Sequence, residues 1–529
     1  MSGGSDFDVV VAGAGHNSLA TAAYLARAGF SCLVLESRSE IGGDTNTEAL
    51  TLPGFRHDAC STAHNLIQSS PLLKDDELGL GAYGLEYLHP DPVVHVPFPD
   101  GESITQWRDE RRTAEELARF SKRDADAYLC HLEAYARVAP LLTRYRYTPI
   151  GWGPSLTELL ASHPEGGVWL RRQAMSAWDV IQDAFEEPHV RAFMLWMAFM
   201  TMQPPQRPGT GMLAYSLVYG RQRHSWTLPR GGSGSLPAAL ARYIRDHGGT
   251  ILTGKRVTGL VLEGGRCAGV VTQDGARYLA GKAVLSTIHI KHLVDMAPAA
   301  AWGEDFVYAV KTWRAGVSMF VTHYATSEPP VFSAAGGGAL TASAGGTPHS
   351  VERMLRVGPE FAAGRVATDD PVLLVLCQTV ADPSRAPAGR HTLKVVGFQP
   401  YELPAGPERW DAIQEEVSEA NLAQLRRYAP NLTADTVLAR VIESPLGLER
   451  FNEHNWHGSC HGGDASPAQS GALRPAPGWA GHRTPIAGLY QTGATTHPGG
   501  SVSAGPGRNA AMVMLRDLGT SLEEVVHRA

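Results

Sequence analysis

Two glycines, a serine and an acid near the start of the chain have the types and spacing for phosphate and ribose chemistry. In "VVVAGAGHNSLATAAYLARAG", residues 9 to 29, Gly13 and Gly15 follow an apolar run and precede a stretch of helix formers. Gly13 permits a tight turn, and Gly15 lets the backbone approach a pyrophosphate. A helix opening near His16 and Asn17 would aim its free N–H groups and positive dipole end at the same phosphates. Ser18 stands where a third glycine normally permits close helix–strand packing, and it reads as a tolerated packing variant. Glu36 lies 21 residues after Gly15, at the end of the next apolar run. A carboxylate there accepts hydrogen bonds from a ribose and repels a 2′-phosphate. A lone glycine turn also serves mere packing. The turn, both strands and the placed acid together point to a dinucleotide.

The elements needed to position these residues are legible. "FDVVVAG" is apolar throughout, as a central parallel strand is, and "SCLVLES" is its neighbour. "SLATAAYLARAG" is the connecting helix, ending on Gly29. Residues 75 to 220 read as mostly helical. Within them "AFMLWMAFMTM", residues 192 to 202, is far too short to span a bilayer, and it reads as a buried helix. Residues 225 to 290 bring a glycine-rich loop, a helix, and strands joined by hairpins at Gly264-Gly265 and Asp274-Gly275. Further strands and one clear helix, "RWDAIQEEVSEANLAQLRRYA", fill residues 300 to 445. "FSAAGGGALTASAGGTP", residues 332 to 348, reads as a loop or lid by composition. The chain closes with "GLYQTGATTHPGGSVSAGPGRNAAMVMLRDL": a strand to Gly493, a glycine-rich turn, and a helix starting near Gly507.

A length of 529 residues predicts two domains. A net charge of −7 without basic clusters leaves no electrostatic footprint for nucleic acid. The six cysteines form no C-x-x-C, which predicts free thiols in a reducing compartment and no pair to cycle between dithiol and disulfide. No secretory signal is read, so the expected location is cytoplasmic, with peripheral contact to a membrane. In "FNEHNWHGSCHGGD", residues 451 to 464, the spacing of His454, His457, Cys460 and His461 fits no standard zinc pattern, and no metal is predicted.

A second glycine pair then narrows the nucleotide. In "ESRSEIGGDTNT" the acid Glu36 is followed by Gly42-Gly43, which resembles the extended fingerprint of FAD enzymes in the glutathione-reductase-like superfamily. "TLPGFRHDACSTAHNL" (51–66), "PRGGSGSLPAALARYI" (229–244), "RPAPGW" (474–479) and "RTPIAGLYQTGATTHPGGSVSAGPGRNAA" (483–511) resemble the phytoene-desaturase-like FAD oxidoreductases. The match is to their branch of pyridine nucleotide-disulfide oxidoreductase domain protein 2.

This resemblance implies an α/β fold: a Rossmann-like FAD-binding domain of the glutathione-reductase-2 type with an inserted α+β substrate domain. The expected FAD-binding domain is discontinuous, 1–74 with 221–300 and 480–529. The expected substrate-binding domain, 75–220 with 301–479, carries a helical cap. By the resemblance, Gly13, Gly15 and Glu36 bind the ADP half of FAD, with His16, Asn17, Ser18 and Ser37 beside them. Arg38, Gly42, Gly43 and Asp44 follow the pyrophosphate and flavin, and Val257 offers its backbone to the adenine. Gly493 approaches a phosphate or the ribityl chain, and Gly499, Gly500, Ser501 and Val502 border the isoalloxazine. His497 is the first candidate for proton transfer beside the flavin, and His457 the second.

The expected function is an FAD-dependent desaturase or dehydrogenase that moves a hydride from a C–C or C–N bond to flavin N5. A redox-neutral isomerase or cyclase, and a non-catalytic binding protein like the GDP-dissociation inhibitors, are the alternatives. The expected partners are a small, largely apolar substrate and an electron acceptor such as oxygen or a quinone.

Overall fold

The computed structural model describes residues 7–334 and 338–527. Its first sheet is built on Phe7–Ala12, which pairs in parallel with Cys32–Leu35 on one side and with the end of Arg277–Ser286 on the other. Thr250–Leu252 and Leu489–Gln491 extend the sheet in parallel at its two flanks. Period-2 geometry explains why the opening strand is apolar throughout. Val9 and Val11 enter the core under the helices His16–Arg27, Ser235–Asp246 and Gly505–Asp517. Val10 and Ala12 enter the opposite core with Ile290, Trp302 and Phe306. The hairpins expected at Gly264-Gly265 and Asp274-Gly275 join Val257–Glu263, Arg266–Thr272 and Arg277–Ser286 as antiparallel neighbours.

The second sheet also has seven strands, ordered Val437–Glu443, Ser318–Thr326, His391–Gln399, Leu373–Leu376, Ala344–Thr347, Val94–Pro97, Ser103–Gln106. All its neighbours are antiparallel except Ala344–Thr347 with Val94–Pro97. One face, including Val321, Val396 and Phe398, packs under a helical cap that contributes Trp196 and Phe199. The other, with Tyr324, Val375 and Val395, packs against Leu422 and Leu425 of the helix Trp410–Arg426. "AFMLWMAFMTM" supplies that cap core: its residues 192–199 are all buried in the helix Pro188–Phe199. No helix among the described residues is long and apolar enough to cross a membrane.

Three local readings change. Residues 75 to 220 are not uniformly helical, because Val94–Pro97 and Ser103–Gln106 turn back at Asp100-Gly101 and pair in the second sheet. The stretch 332–348 is more than a loop. Phe332–Ala334 pairs with Gly338–Leu340, and Ala344–Thr347 is a buried sheet strand; residues 335–337 lie outside the described residues. The last long helix begins at Gly505 rather than Gly507, and its first turn is closed by protein. Ser503 Oγ accepts from Gly505 N–H, and Asn17 Oδ1 from Gly507 N–H.

Candidate functional site

The glycine turn leaves the opening strand at Gly13, whose φ is +97°. A Cβ there would stand 2.5 Å from Cγ2 of Thr287, the residue just after the strand Arg277–Ser286. A Cβ on Gly493, at φ +94°, would meet the same threonine's Oγ1 at 2.6 Å. Thr287 is thus wedged between two backbone turns far apart in sequence, and neither turn has room for a side chain. Its N–H donates to the Ala12 carbonyl, which seats it at the strand end.

Ser18 is fully buried, and its Oγ lies 2.7 Å from the Gly13 carbonyl oxygen and 2.9 Å from that of Gly15. The hydroxyl therefore ties the helix to the loop. Ser18 is a staple rather than only a tolerated variant. Glu36 organises the same loop from the other side. Its Oε2 accepts from Ala14 N–H at 2.8 Å, while Oε1 accepts from Arg38 N–H at 2.9 Å and from the Ser37 hydroxyl at 3.0 Å.

A cavity of about 930 Å³ opens in front of this loop. Gly13, Gly15, His16, Asn17, Glu36, Ser37, Arg38, Gly42, Gly43, Asp44 and Val257 line it, and so do Gly493, Gly499, Gly500, Ser501 and Val502. Of the cofactor-site residues expected from sequence, Ser18 alone stands behind the wall. The cavity continues into an apolar chamber. Met200, Met212, Leu213 and Trp226 wall it on the cap side, and Met319, Leu374, Val396 and Phe398 on the second sheet.

Polar groups collect where the two parts meet. Asp44 receives hydrogen bonds from the Asn452 and Asn455 side-chain amides, yet burial raises its pKa to about 6. His16, His289, His292, His454 and His461 all line the cavity. Burial holds His16, His454 and His461 near 4, so all three are neutral at pH 7. Among the described residues, no group of three or more possible ligands could hold a metal ion. Arg474 builds the wall beside them, donating to the carbonyls of His461, Asp464, Gln469 and Ala494.

The two expected catalytic histidines are not on the cavity. His497 is buried, its Nε2 is 3.1 Å from the Tyr145 carbonyl, and burial depresses its pKa to about 3. Its neighbour Pro498 reaches the cavity instead. His457 points away to a polar edge, stacked between Tyr401 and Trp456 and 3.4 Å from Glu402. Only tertiary contact decides such orientation, and motif spacing carries no record of it. The six cysteines are free thiols, as their spacing predicts. Cys60 and Cys460 have no sequence spacing in common with a redox motif, yet both line the cavity, and Cys460 Sγ lies 3.6 Å from the Met202 sulfur.

Residues 19–511 match the family model described as flavin containing amine oxidoreductase. The chain belongs to that family. One of the chains of the limonene dehydrogenase of Castellaniella defragrans is 28% identical, covering 97% of this chain and 95% of that protein. Mouse pyridine nucleotide-disulfide oxidoreductase domain-containing protein 2 is 29% identical over 97% and 94%. The lycopene-forming phytoene desaturase of Pantoea ananas is 25% identical over 96% and 99%. Among solved structures, a putrescine oxidase variant superposes with a TM-score of 0.61 at 15% identity, covering 97% of this chain and 98% of the other. At that identity the likeness concerns fold alone.

This member of the flavin amine oxidoreductase family is an FAD-dependent oxidoreductase. Its residues fit the cofactor on the structure's own terms. Buried atoms without partners, His16 Nε2 and Arg38 Nη1, sit on residues lining the loop end of the cavity, as donors awaiting an anion would. The turns at Gly13 and Gly493 keep the adjoining backbone bare. Thr287, Arg221 and the pair Cys60 and Cys460 went unnoticed in the sequence. For Thr287, its place directly after an apolar strand was the available signal; for the cysteines there was none.

Proposed function

We propose that this enzyme removes two hydrogens from a largely apolar small molecule, as a desaturase or dehydrogenase. The observation that carries this reading is the continuity of the cavity: one space joins the glycine loops to a chamber walled by methionine, leucine, valine and phenylalanine. Such walls bind apolar substrates and exclude water from the reacting bond. FAD, when bound, supplies the hydride acceptor, and the protein supplies placement and environment.

The residues divide the work. Gly13, Gly15, His16 and Arg38 would hold the pyrophosphate, and Glu36 a ribose. Gly499, Gly500, Ser501 and Val502 would set the flavin end against the chamber. His497 and His457 serve the scaffold in this reading, since neither reaches the cavity. Two of the relatives carry names for oxidation of limonene and of phytoene, and both names agree with an apolar substrate. The final acceptor in this reading is oxygen or a quinone, with the substrate collected at a membrane surface.

The test is anaerobic mixing of the purified flavoprotein with a panel of terpenes, carotenoids and amines. Bleaching of the flavin absorbance with a product two mass units lighter is the expected result. A product of unchanged mass replaces the reading with an isomerase or cyclase. A protein that neither retains nor takes up FAD overturns it.

A further inference from the structure

The chamber contains a charged group that the function above does not use. Arg221 lies on the helix Leu213–His224, where Leu213, Leu217 and Arg221 recur every four residues and face the cavity together. Arg221 is only 5% exposed. Its Cζ stands 3.4 Å over the Trp226 ring, and its Nη1 is 3.3 Å from the Met197 sulfur. Its Nε is buried with no partner at all.

Every other fully buried arginine among the described residues has oxygen partners. Arg353 pairs with Glu360 at 2.9 Å, Arg385 with Asp58 at 2.9 Å, and Arg474 holds four backbone carbonyls. Arg221 has an indole and a thioether. The carboxylates that line the cavity, Glu36, Asp44, Asp295 and Glu453, make no ion pair with it. Guanidinium holds its proton more firmly than any other side chain, so a buried arginine stays a cation in search of an anion. An unpaired buried charge is costly to keep, and a folded protein tolerates one where a ligand completes it.

We propose that Arg221 receives the carboxylate of the substrate, so that the molecule oxidised in this chamber is a hydrophobic monoacid. This rests on the reading of the chamber as the substrate site of a flavin oxidation. The charge count selects carboxylate over phosphate. One cation in an apolar wall matches a monoanion, whereas a phosphate dianion would bring a second charge without a partner. The planar fork of the guanidinium also matches a carboxylate in two parallel hydrogen bonds. Trp226 holds the fork flat against its ring and keeps the anion on the open side. Anchoring the acid at Arg221 would lay the apolar remainder against Leu217 and Leu213, which share its face of the helix.

The experiment compares decanoate with decanamide on the flavin-loaded enzyme at pH 7.5, by flavin absorbance change and by melting temperature. The two probes match in length and differ in charge. The wild type is expected to bind decanoate at least tenfold more tightly than decanamide, and to melt higher with decanoate only. Arg221→Met is expected to retain its flavin and lose the preference, and Arg221→Lys to keep part of it. Equal affinity for both probes, binding of neither, or an undiminished preference in Arg221→Met overturns the proposal. If Arg221→Met does not fold, the wild-type comparison decides alone. Flavin content is read in the same samples. Flavin present without anion preference sinks this inference alone, and flavin absent sinks the oxidoreductase reading itself.

Discussion

The Ser18 hydroxyl lies 2.7 Å from the carbonyl oxygen of Gly13, so the residue that departs from the glycine fingerprint secures the turn which the fingerprint makes. A glycine at position 18 would leave the carbonyl groups of Gly13 and Gly15 without this donor. Ser18→Ala and Ser18→Gly are therefore both expected to destabilise the flavoprotein. The expected loss is about 1 kcal/mol for alanine, from the hydrogen bond alone, and up to about 2 kcal/mol for glycine in a helix. Urea unfolding of the flavin-loaded protein measures this. A Ser18→Gly variant as stable as wild type would return Ser18 to a passive packing role.

Thr287 couples the two ends of the chain through its two branches. Gly13→Ala places a methyl group against Cγ2, and Gly493→Ala places one against Oγ1. Each is expected to cost about 2–3 kcal/mol, combining the clash with the positive φ. Thr287→Ser removes Cγ2 and keeps Oγ1. It should recover about 1 kcal/mol in the Gly13→Ala background and nothing in Gly493→Ala. Melting of the single and double variants checks the asymmetry. Equal rescue in both backgrounds would remove Thr287 from between the turns.

Glu36 holds the loop through Ala14 N–H and Arg38 N–H. Glu36→Arg replaces an acceptor of ribose and backbone hydrogen bonds by a cation. FAD affinity is expected to fall at least tenfold, about 1.4 kcal/mol. The ratio of flavin to protein absorbance after gel filtration reports it. Undiminished flavin content would move the ribose contact to another residue.

Several histidines away from the cavity are buried and neutral. Burial holds His64, His131 and His497 near pKa 3 and His95 and His482 near 4. Above pH 6.5 both folded and unfolded chains carry them uncharged, and they add no pH dependence. As pH falls below 6.5 the unfolded chain takes up protons that the folded one refuses. Stability is then lost progressively down to the folded values, at up to about 1.4 kcal/mol per pH unit per group. These five rings are expected to make the flavin-loaded protein weaker by about 7 kcal/mol at pH 5.5 than at pH 7.5. Urea midpoints at the two values test this, and a flat profile would place protons on these rings in the native state.

Much of this arrangement is legible in the sequence, for reasons tied to short range. "FDVVVAG" can be a central strand only if both faces are covered, and Val9 to Ala12 are covered on both faces. Hairpins follow from the turn residues at Gly264-Gly265 and Asp274-Gly275, whose local conformational preference needs no distant partner. The cavity lining from Gly13 to Asp44 comes from the ends of one strand–helix–strand unit and the turn after it, so spacing along the chain brings it to one place. The strands Val94–Pro97 and Ser103–Gln106 escaped notice inside a helical stretch because they are four residues each, and the first joins the sheet through a partner in the 344–347 region.

The sequence by itself determined the nucleotide turn, its acid and the glycine block that closes the same cavity from the far end. These depend on backbone conformations that glycine alone adopts readily, and such preferences are written locally. The tertiary structure decided which side chains face the cavity. It turned His497 toward the Tyr145 carbonyl, brought Cys60 and Cys460 to the wall of one cavity, wedged Thr287 between Gly13 and Gly493, and left Arg221 buried in an apolar wall without an anion. Each of those outcomes depends on contacts between segments brought together only by packing, and residue type and spacing along one chain do not encode the direction in which a side chain is finally pressed.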